Sequence, residues 1–163
     1  MAGSDFPNVE YSVRVGEQRM DIRSFKPADQ DIVIELWQQC GLLAPGNDPV
    51  LDIQRKLAHG ADLFWVGLVD GKIVASVMVG YEGHRGWINY LAVDPSWRRK
   101  GLGRRMMEAA EDRLSDLGCP KVNLQVRGDN RAVADFYRSL GYEVEDRISL
   151  GKRIKPSEPC HES

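Results

Sequence analysis

A cluster of cationic side chains surrounds two glycines near the middle of the chain, and this segment is the one best suited to chemistry. An apolar stretch ends with Leu91, Ala92 and Val93. A little further on, the sequence runs Arg98, Arg99, Lys100, Gly101, Leu102, Gly103, Arg104 and Arg105. The first backbone N–H groups of a helix have no intrahelical acceptor and lie at the positive end of its dipole. Since glycine lets an anion approach the backbone without a Cβ in the way, the segment predicts a diphosphate-binding helix start.

Two familiar phosphate-binding loops fit this segment less well. The dinucleotide pattern G-x-G-x-x-G requires a third glycine at the position that Met106 occupies. The nucleoside-triphosphate pattern G-x-x-x-x-G-K-[S/T] occurs nowhere in the sequence. If the segment binds no ligand, it is simply a solvated basic helix start preceded by a flexible glycine loop.

Regular elements are predicted on both sides of the cationic segment. Residues 87–93 have the apolar and aromatic composition of a strand, and residues 101–117 carry a helical repeat of apolar side chains. That repeat consists of Leu102, Met106, Ala110, Leu114 and Leu117. The diphosphate-binding site is therefore predicted between the end of a strand and the start of a long helix, at residues 98–103, and we call it the anion seat.

The other predicted elements complete one mixed sheet. Strands are predicted over residues 20–25, 63–69, 72–81, 121–126 and, by alternation of Tyr142, Val144, Ile148 and Leu150, at the end of the core. Helices are predicted to begin at Pro27, at Asp48-Pro49 and at Asn130. The order β-α-α-β-β-β-α-β-α-β indicates an α/β fold with a mixed sheet. Because three strands follow one another before the long helix, a doubly wound parallel sheet is disfavoured.

The two ends of the chain lie outside this predicted domain, which covers residues 20–151. Residues 1–19 are predicted to be an N-terminal extension, in which the apolar alternation over residues 9–15 could form an extra edge strand. Residues 152–163 are polar and predicted to be a loose C-terminal tail.

Composition narrows the classes of function. The net charge is −2, which argues against a general basic surface for nucleic acid. No apolar segment approaches the roughly 20 residues that span a bilayer, so no membrane partner is expected. The three cysteines, Cys40, Cys119 and Cys160, show no C-x-x-C spacing, and neither a disulfide framework nor a metal site is predicted. Free thiols without an export signal indicate a cytoplasmic protein.

Two motifs in this order resemble those of the GNAT superfamily of N-acetyltransferases. The first is R-x-x-G-x-G after a strand that ends in Leu-Ala-Val-Asp-Pro, here residues 91–103. The second is N-x-x-A-x-x-F-Y-x-x-x-G-[FY], here residues 130–142. The resemblance covers about residues 20–150 and extends to a bacterial, ribosomal-protein-acetylator-like subgroup. It implies the GNAT fold, with a central strand pair that splays apart, and acetyl-CoA as co-substrate.

The resemblance also implies which residues bind acetyl-CoA. Pantetheine is expected to pair with the exposed backbone of Leu91, Ala92 and Val93, in the manner of an added strand. The pyrophosphate is expected on the backbone of residues 98–103 and Arg104. Asn130 matches a position whose side chain binds the pantetheine arm, although it could also simply cap its helix. Phe136 is expected to pack beside the cofactor.

The resemblance assigns the general acid and leaves the general base open. Tyr137 matches the tyrosine that protonates the departing thiolate, although it could instead be only a core aromatic of the last helix. The strands that often supply a catalytic Glu contain Asn89 and Gln125 here, neither of which can take a proton. Glu82 and His84, in the loop before residues 87–93, are weak candidates for the base, and a water chain is the alternative. The early helices are expected to recognise the acceptor, in a region that includes Trp37, Leu42, Leu43, Asn47 and Asp48.

Several functional alternatives remain at this stage. The leading hypothesis is direct attack of a primary amine on acetyl-CoA, and the acceptor could be a small molecule or a protein amine. A non-catalytic acyl-CoA-binding or sensing module is the second hypothesis. A covalent cysteine mechanism would need a thiolate beside a base and is disfavoured. The chain is expected to be a monomer or a homodimer.

Overall fold

The computed structural model describes residues 10–154, which divide into two compact units between Gln125 and Val126. The first unit contains six strands and three helices. The strands are β1 Glu10–Val15, β2 Gln18–Ser24, β3 Phe64–Val69, β4 Lys72–Tyr81, β5 Gly86–Val93 and β6 Val122–Leu124. The helices are α1 Gln30–Gln39, α2 Pro49–Gly60 and α3 Leu102–Asp116, with short 3₁₀ turns at Pro27–Asp29, Ala61–Leu63 and Pro95–Trp97.

The strands form one mixed sheet in the order β1-β2-β3-β4-β5-β6. Every pair from β1 to β5 is antiparallel, and only β6 runs parallel to its neighbour β5. Asp70 and Gly71 join β3 to β4 with φ of 50° and 75°, the left-handed backbone of a tight hairpin turn. The predicted mixed sheet and the meander before the long helix are therefore confirmed.

The two faces of the sheet bury different helices. Side chains of β3 alternate, so that Val66 packs with Trp37 of α1 and Ile53 of α2 in one apolar cluster. On the opposite face, a Cβ built on Gly67 would lie 3.0 Å from the sulfur of Met106 in α3. Glycine at this position lets the long helix approach the sheet closely. The helix that carries the cationic segment is thereby held on one face, with α1 and α2 on the other.

The start of α2 follows the local sequence signal. Asp48 caps the helix, its Oδ1 accepting from the N–H of Val50 at 3.0 Å and of Leu51 at 3.2 Å, and Pro49 is the first helical residue. The cap fixes where the first turn of α2 begins. That turn contains Asp52, whose carboxylate accepts from the phenol of Tyr90 in β5.

The second unit contains α4, Arg131–Ser139, and a following segment that forms no strand among the described residues. The final strand predicted from Tyr142, Val144, Ile148 and Leu150 is therefore wrong. Its alternation is interrupted because Asp146 falls on the apolar side of the repeat. There the chain turns, with the N–H of Arg147 bonded to the carbonyl of Glu145 at 2.9 Å. Val144, Ile148 and Leu150 are instead 76%, 88% and 90% exposed.

Within residues 10–154, no helix is both long and apolar enough to cross a membrane. The predicted N-terminal extension and C-terminal tail lie partly outside the described residues. Residues 10–15 of the extension form the edge strand β1, and residues 152–154 are exposed coil. Cys160 lies outside the described residues as well.

Candidate active site

The segment between β5 and α3 is shaped by Asp94. The N–H of Asp94 bonds to the carbonyl of Val74 in β4 at 2.8 Å, which anchors the end of β5. Its carboxylate accepts from the N–H of Ser96 at 2.8 Å and caps the 3₁₀ turn Pro95–Trp97. The chain therefore leaves the sheet in a fixed direction before it reaches the cationic residues.

The backbone directly before α3 contains two residues in the left-handed conformation. Arg99 and Gly101 have φ of 61° and 86°, both in the left-handed region. The first intrahelical bond that involves this segment runs from the N–H of Arg105 to the carbonyl of Gly101 at 3.2 Å. The N–H groups of Leu102 and Gly103 precede that bond, and by helix geometry they have no intrahelical acceptor. These backbone donors lie where the helix dipole is positive.

Side-chain charge around the seat is positive. Arg98, Arg99, Lys100, Arg104 and Arg105 are all exposed. Lys100 and Arg105 contact neighbouring side chains. The ammonium of Lys100 lies 4.7 Å above the ring centroid of Trp97, and Arg105 pairs with Glu108 at 2.8 Å. The residues present thus fit a ligand with two negative charges, bound by backbone donors and surrounded by exposed cations.

β5 carries an unpaired backbone edge that leads to this seat. β6 pairs with β5 only at Gly86, Trp87 and Ile88. Beyond Ile88, where β6 has ended at Leu124, the described residues of β5 pair with β4 alone, and we call residues 89–93 the separated part of β5. Residues 91–93 lie in this separated part, where an extended ligand could add as a strand. The carbonyl of Val93 also accepts from the thiol of Cys40, with the two atoms 3.3 Å apart.

A β-bulge lies in the middle of the separated part of β5. Met78 of β4 faces Asn89 and Ser76 faces Ala92, so that two residues of β5, Tyr90 and Leu91, oppose a single residue of β4. Tyr90 has a φ of 50°. A bulky residue in the left-handed region is strained, and such strain persists only where surrounding contacts hold it in place.

Those contacts come from α1 and β4. The ring of Tyr90 stacks on that of Trp37, with centroids 3.9 Å apart and an interplanar angle of 14°. The indole N–H of Trp37 donates to the hydroxyl of Ser76 at 2.9 Å, and that hydroxyl donates to the carbonyl of Tyr90 at 3.2 Å. Trp37 and Ser76 are fully buried. Trp37 therefore supports the site from within the core and does not lie at its surface.

The phenol of Tyr90 reaches the first turn of α2. Its O–H donates to Oδ2 of Asp52 at 2.7 Å, and the side chain of Asn47 also hydrogen-bonds to it. Burial, followed by the bond to Asp52 and the charge of Asp52, raises the pKa of Tyr90 to about 12, against a smaller opposing effect of Asn47. The phenol therefore stays protonated at neutral pH and orients the carboxylate of Asp52.

Sequence reasoning missed this carboxylate–phenol pair. Asp52 reads as an ordinary acidic residue in a first helical turn, and Tyr90 as one more aromatic in a strand. The two residues are 38 positions apart, and no short motif joins them. The bulge that directs Tyr90 has no signal in the sequence of β5.

Glu82 and His84 lie at the other end of β5. Both side chains are exposed. The carboxylate of Glu82 accepts from the N–H of Arg85 at 2.9 Å, which organises the loop before Gly86. Because a strand rises about 3.3 Å per residue, Gly86 lies roughly 16 Å along β5 from Leu91. Glu82 and His84 precede Gly86, in the loop at the end of β5 opposite residues 91–93.

The second unit holds the residues of the second motif. Asn130 caps α4, its Oδ1 accepting from the N–H of Val133 at 3.2 Å, and this cap does not use the amide nitrogen. Tyr137 is 9% exposed and meets the rings of Phe136 and Tyr142 edge-on, at 5.1 and 5.7 Å between centroids. Burial raises the pKa of Tyr137 to about 12. The phenol is thus a protonated donor at neutral pH, as a general acid must be.

Comparisons with known proteins agree on one family. The profile of the Acetyltransferase (GNAT) family matches residues 28–142. A protein named acetyltransferase from Pectobacterium atrosepticum is 50% identical over 135 residues, which cover 83% of this chain and 96% of that protein.

Two solved structures share the fold at moderate identity. Ard1 from Thermoplasma volcanium is 27% identical with a TM-score of 0.70, over 77% of this chain and 84% of that one. The ribosomal-protein-S18-alanine N-acetyltransferase from Escherichia coli is 26% identical with a TM-score of 0.63, over 75% of this chain and 76% of that one.

Proposed function

This chain belongs to the Acetyltransferase (GNAT) family and transfers an acetyl group, and from that premise we propose that its donor is acetyl-CoA, seated at the start of α3. The observation that carries this proposal is the left-handed backbone at Arg99 and Gly101, directly before the first turn of a 15-residue helix. A pyrophosphate supplies the double negative charge that this seat accepts. The exposed cations nearby add attraction that salt would screen.

The pantetheine arm is proposed to follow β5 from the seat toward the bulge. Residues 91–93 belong to the separated part of β5, and the backbone edge that β6 leaves unpaired there offers hydrogen bonds to an amide chain. Running in this direction, the arm would bring the thioester toward Tyr90.

Direct transfer to a primary amine is the proposed reaction. The nitrogen of the neutral amine attacks the thioester carbonyl, a carbon–nitrogen bond forms as the carbon–sulfur bond breaks, and the proton that the nitrogen loses passes to water. Tyr137 is proposed to give its proton to the departing thiolate, a role that its protonated state at neutral pH allows. Asn130 and Phe136 are proposed to contact the arm of the donor.

An α-amino group is the proposed acceptor. At pH 7 an α-amine with a pKa of about 8 loses its proton at a cost of roughly 1.4 kcal/mol, whereas a lysine amine costs roughly 4–5 kcal/mol. No strong base was identified among the sequence candidates, which favours the amine that is easier to deprotonate. The ribosomal-protein-S18-alanine N-acetyltransferase, which shares the fold, is named for an alanine acceptor. A protein or peptide N-terminus therefore suits this site best.

The acetyltransferase relatives do not favour the alternative of a non-catalytic acyl-CoA sensor. The test is an acetyl-transfer assay that follows free thiol, with two peptides of equal length. One has a free N-terminus and no lysine, and the other has a blocked N-terminus and one lysine. We expect thiol release with the first peptide and much less with the second. Binding of acetyl-CoA without turnover of any amine would favour the sensor, and preference for lysine would contradict the α-amine.

A further inference from the structure

We propose that Asp52 is the carboxylate that binds the acceptor amine, which arrives protonated and loses a proton to water before it attacks, and that Tyr90 holds this carboxylate in place at the thioester end of the donor site. This inference rests on the proposed function, because it assumes that the donor runs along β5 toward the bulge. It assigns Asp52 as a specificity-determining residue and Tyr90 as a positioning residue.

The geometry of Asp52 is that of an oriented and accessible carboxylate. Its side chain is 27% exposed, so it can be reached from solvent. Oδ2 accepts the phenol of Tyr90 at 2.7 Å, whereas Oδ1 has only a long contact of 3.4 Å with Arg55, whose own side chain is 62% exposed. One carboxylate oxygen is therefore fixed by the protein, and the other is weakly engaged and able to accept from an ammonium.

The position of Tyr90 connects this carboxylate to the donor site. Tyr90 precedes Leu91, which is the residue farthest from the anion seat among those proposed to pair with pantetheine. The side chain of Tyr90 therefore leaves β5 next to the thioester end of the donor path. The bulge, with a φ of 50° at Tyr90, points its side chain toward α1 and α2 and away from α3. An amine bound at Asp52 would thus lie on the α2 side of the same strand.

Rigid support makes the pair suitable for positioning a ligand. The ring of Tyr90 is held by Trp37, and its carbonyl is held by Ser76, both of which are fully buried. The strain at Tyr90 is the kind that functional sites retain.

The experiment measures the KM for the acceptor and the KM for acetyl-CoA separately in wild type, Asp52→Asn and Glu35→Gln. The probe is the peptide or small primary amine that the wild-type protein turns over best from a panel. Asparagine keeps an oxygen for the phenol of Tyr90 but loses the negative charge. We expect the acceptor KM of Asp52→Asn to rise about ten- to hundredfold, with the KM for acetyl-CoA unchanged. Glu35→Gln removes an exposed carboxylate from the neighbouring α1 and should change neither constant.

Tyr90→Phe separates positioning from fold. Phenylalanine keeps the stacked ring and loses only the hydroxyl, so we expect a smaller rise in the acceptor KM, by a few-fold, with kcat nearly unchanged. An unchanged acceptor KM in Asp52→Asn, with or without a lower melting temperature, would overturn the inference and leave acetyl transfer intact. If the wild-type protein turned over no amine in the panel, the proposed function itself would fail, and this inference with it.

Discussion

The cationic loop before α3 and the Asp52–Tyr90 pair lie toward opposite ends of residues 91–93 and differ in how they are built. The loop is proposed to bind through consecutive backbone groups and exposed cations within residues 98–104. The pair consists of two partly buried side chains that are 38 positions apart, of which Asp52 is proposed to bind and Tyr90 to position. The loop is a local structure that needs only a helix start and glycine, whereas the pair exists only once the whole sheet has folded. Substitutions within the loop should therefore be enough to abolish its binding. The Asp52–Tyr90 pair should also be disrupted by substitutions in the core.

The largest expected effect is at the loop. Gly101→Glu places a side chain and a negative charge in the anion seat, at a φ of 86° that side chains rarely adopt. We expect the affinity for acetyl-CoA, measured by calorimetry, to fall at least about a thousandfold. The matched control is Gly118→Glu, at φ of 80° near the other end of α3, where a Cβ meets no atom within 4 Å. Equal losses of affinity in both variants would mean that backbone strain, and not the anion seat, is responsible.

A smaller effect, on kcat, is expected when the proposed general acid Tyr137 is removed and both regions stay intact. Tyr137→Phe keeps the ring against Phe136 and Tyr142 and should lower kcat about a hundredfold, with acetyl-CoA binding unchanged. Stopped assays of product amide measure this rate. Tyr142→Phe is the control, because the motif accepts either aromatic residue there, and it should keep normal turnover. Normal turnover in Tyr137→Phe would remove Tyr137 from the mechanism.

Substitutions in the core that supports the Asp52–Tyr90 pair should lower the free energy of unfolding. Trp37→Phe loses the indole donor to Ser76 and leaves a small void, so the free energy of unfolding should fall by about 1–3 kcal/mol. Urea denaturation measures the change. Ile32→Ala, on the same helix but 51% exposed, should cost much less. If the two variants were equally stable, Trp37 would not be the support that holds Tyr90.

The smallest expected effect is a shift in titration. Tyr90 and Tyr137 should ionise near pH 12, later than an ordinary phenol with a pKa of about 10. Since their folded pKa values are raised, their contribution to stability is complete below pH 10 and is lost as the pH rises through 12. Ultraviolet absorbance of phenolate measures both groups. In Asp52→Asn the pKa of Tyr90 should fall while that of Tyr137 stays, and an unchanged curve would contradict the contact with Asp52.

Local signals explain which parts of the structure the sequence could predict. Asp48-Pro49 gives the start of α2, and Asp70-Gly71 gives a hairpin, because capping and turn chemistry depend on neighbouring residues alone. The glycines before α3 work in the same way. The mixed sheet follows from the order of these elements and from the family resemblance.

The parts that could not be predicted depend on distant or interrupting residues. Tyr90 faces α2 because of a bulge that no residue type marks, so Asp52 stayed unnoticed. The final strand was wrong because alternation alone ignored Asp146 and the turn around it. Trp37, expected among the residues that recognise the acceptor, is fully buried, because its indole finds a partner in Ser76 across 39 positions.

Calorimetric titration with CoA and with pantetheine, which lacks the diphosphate and the nucleoside, tests the central claim most directly. The seat at the start of α3 predicts one CoA bound per chain, with pantetheine weaker by at least about a hundredfold. The advantage of CoA should shrink as salt is raised, because the exposed cations are screened. In Gly101→Glu the two ligands should bind about equally weakly. If pantetheine bound the wild-type protein as tightly as CoA, the helix start would not be the diphosphate site.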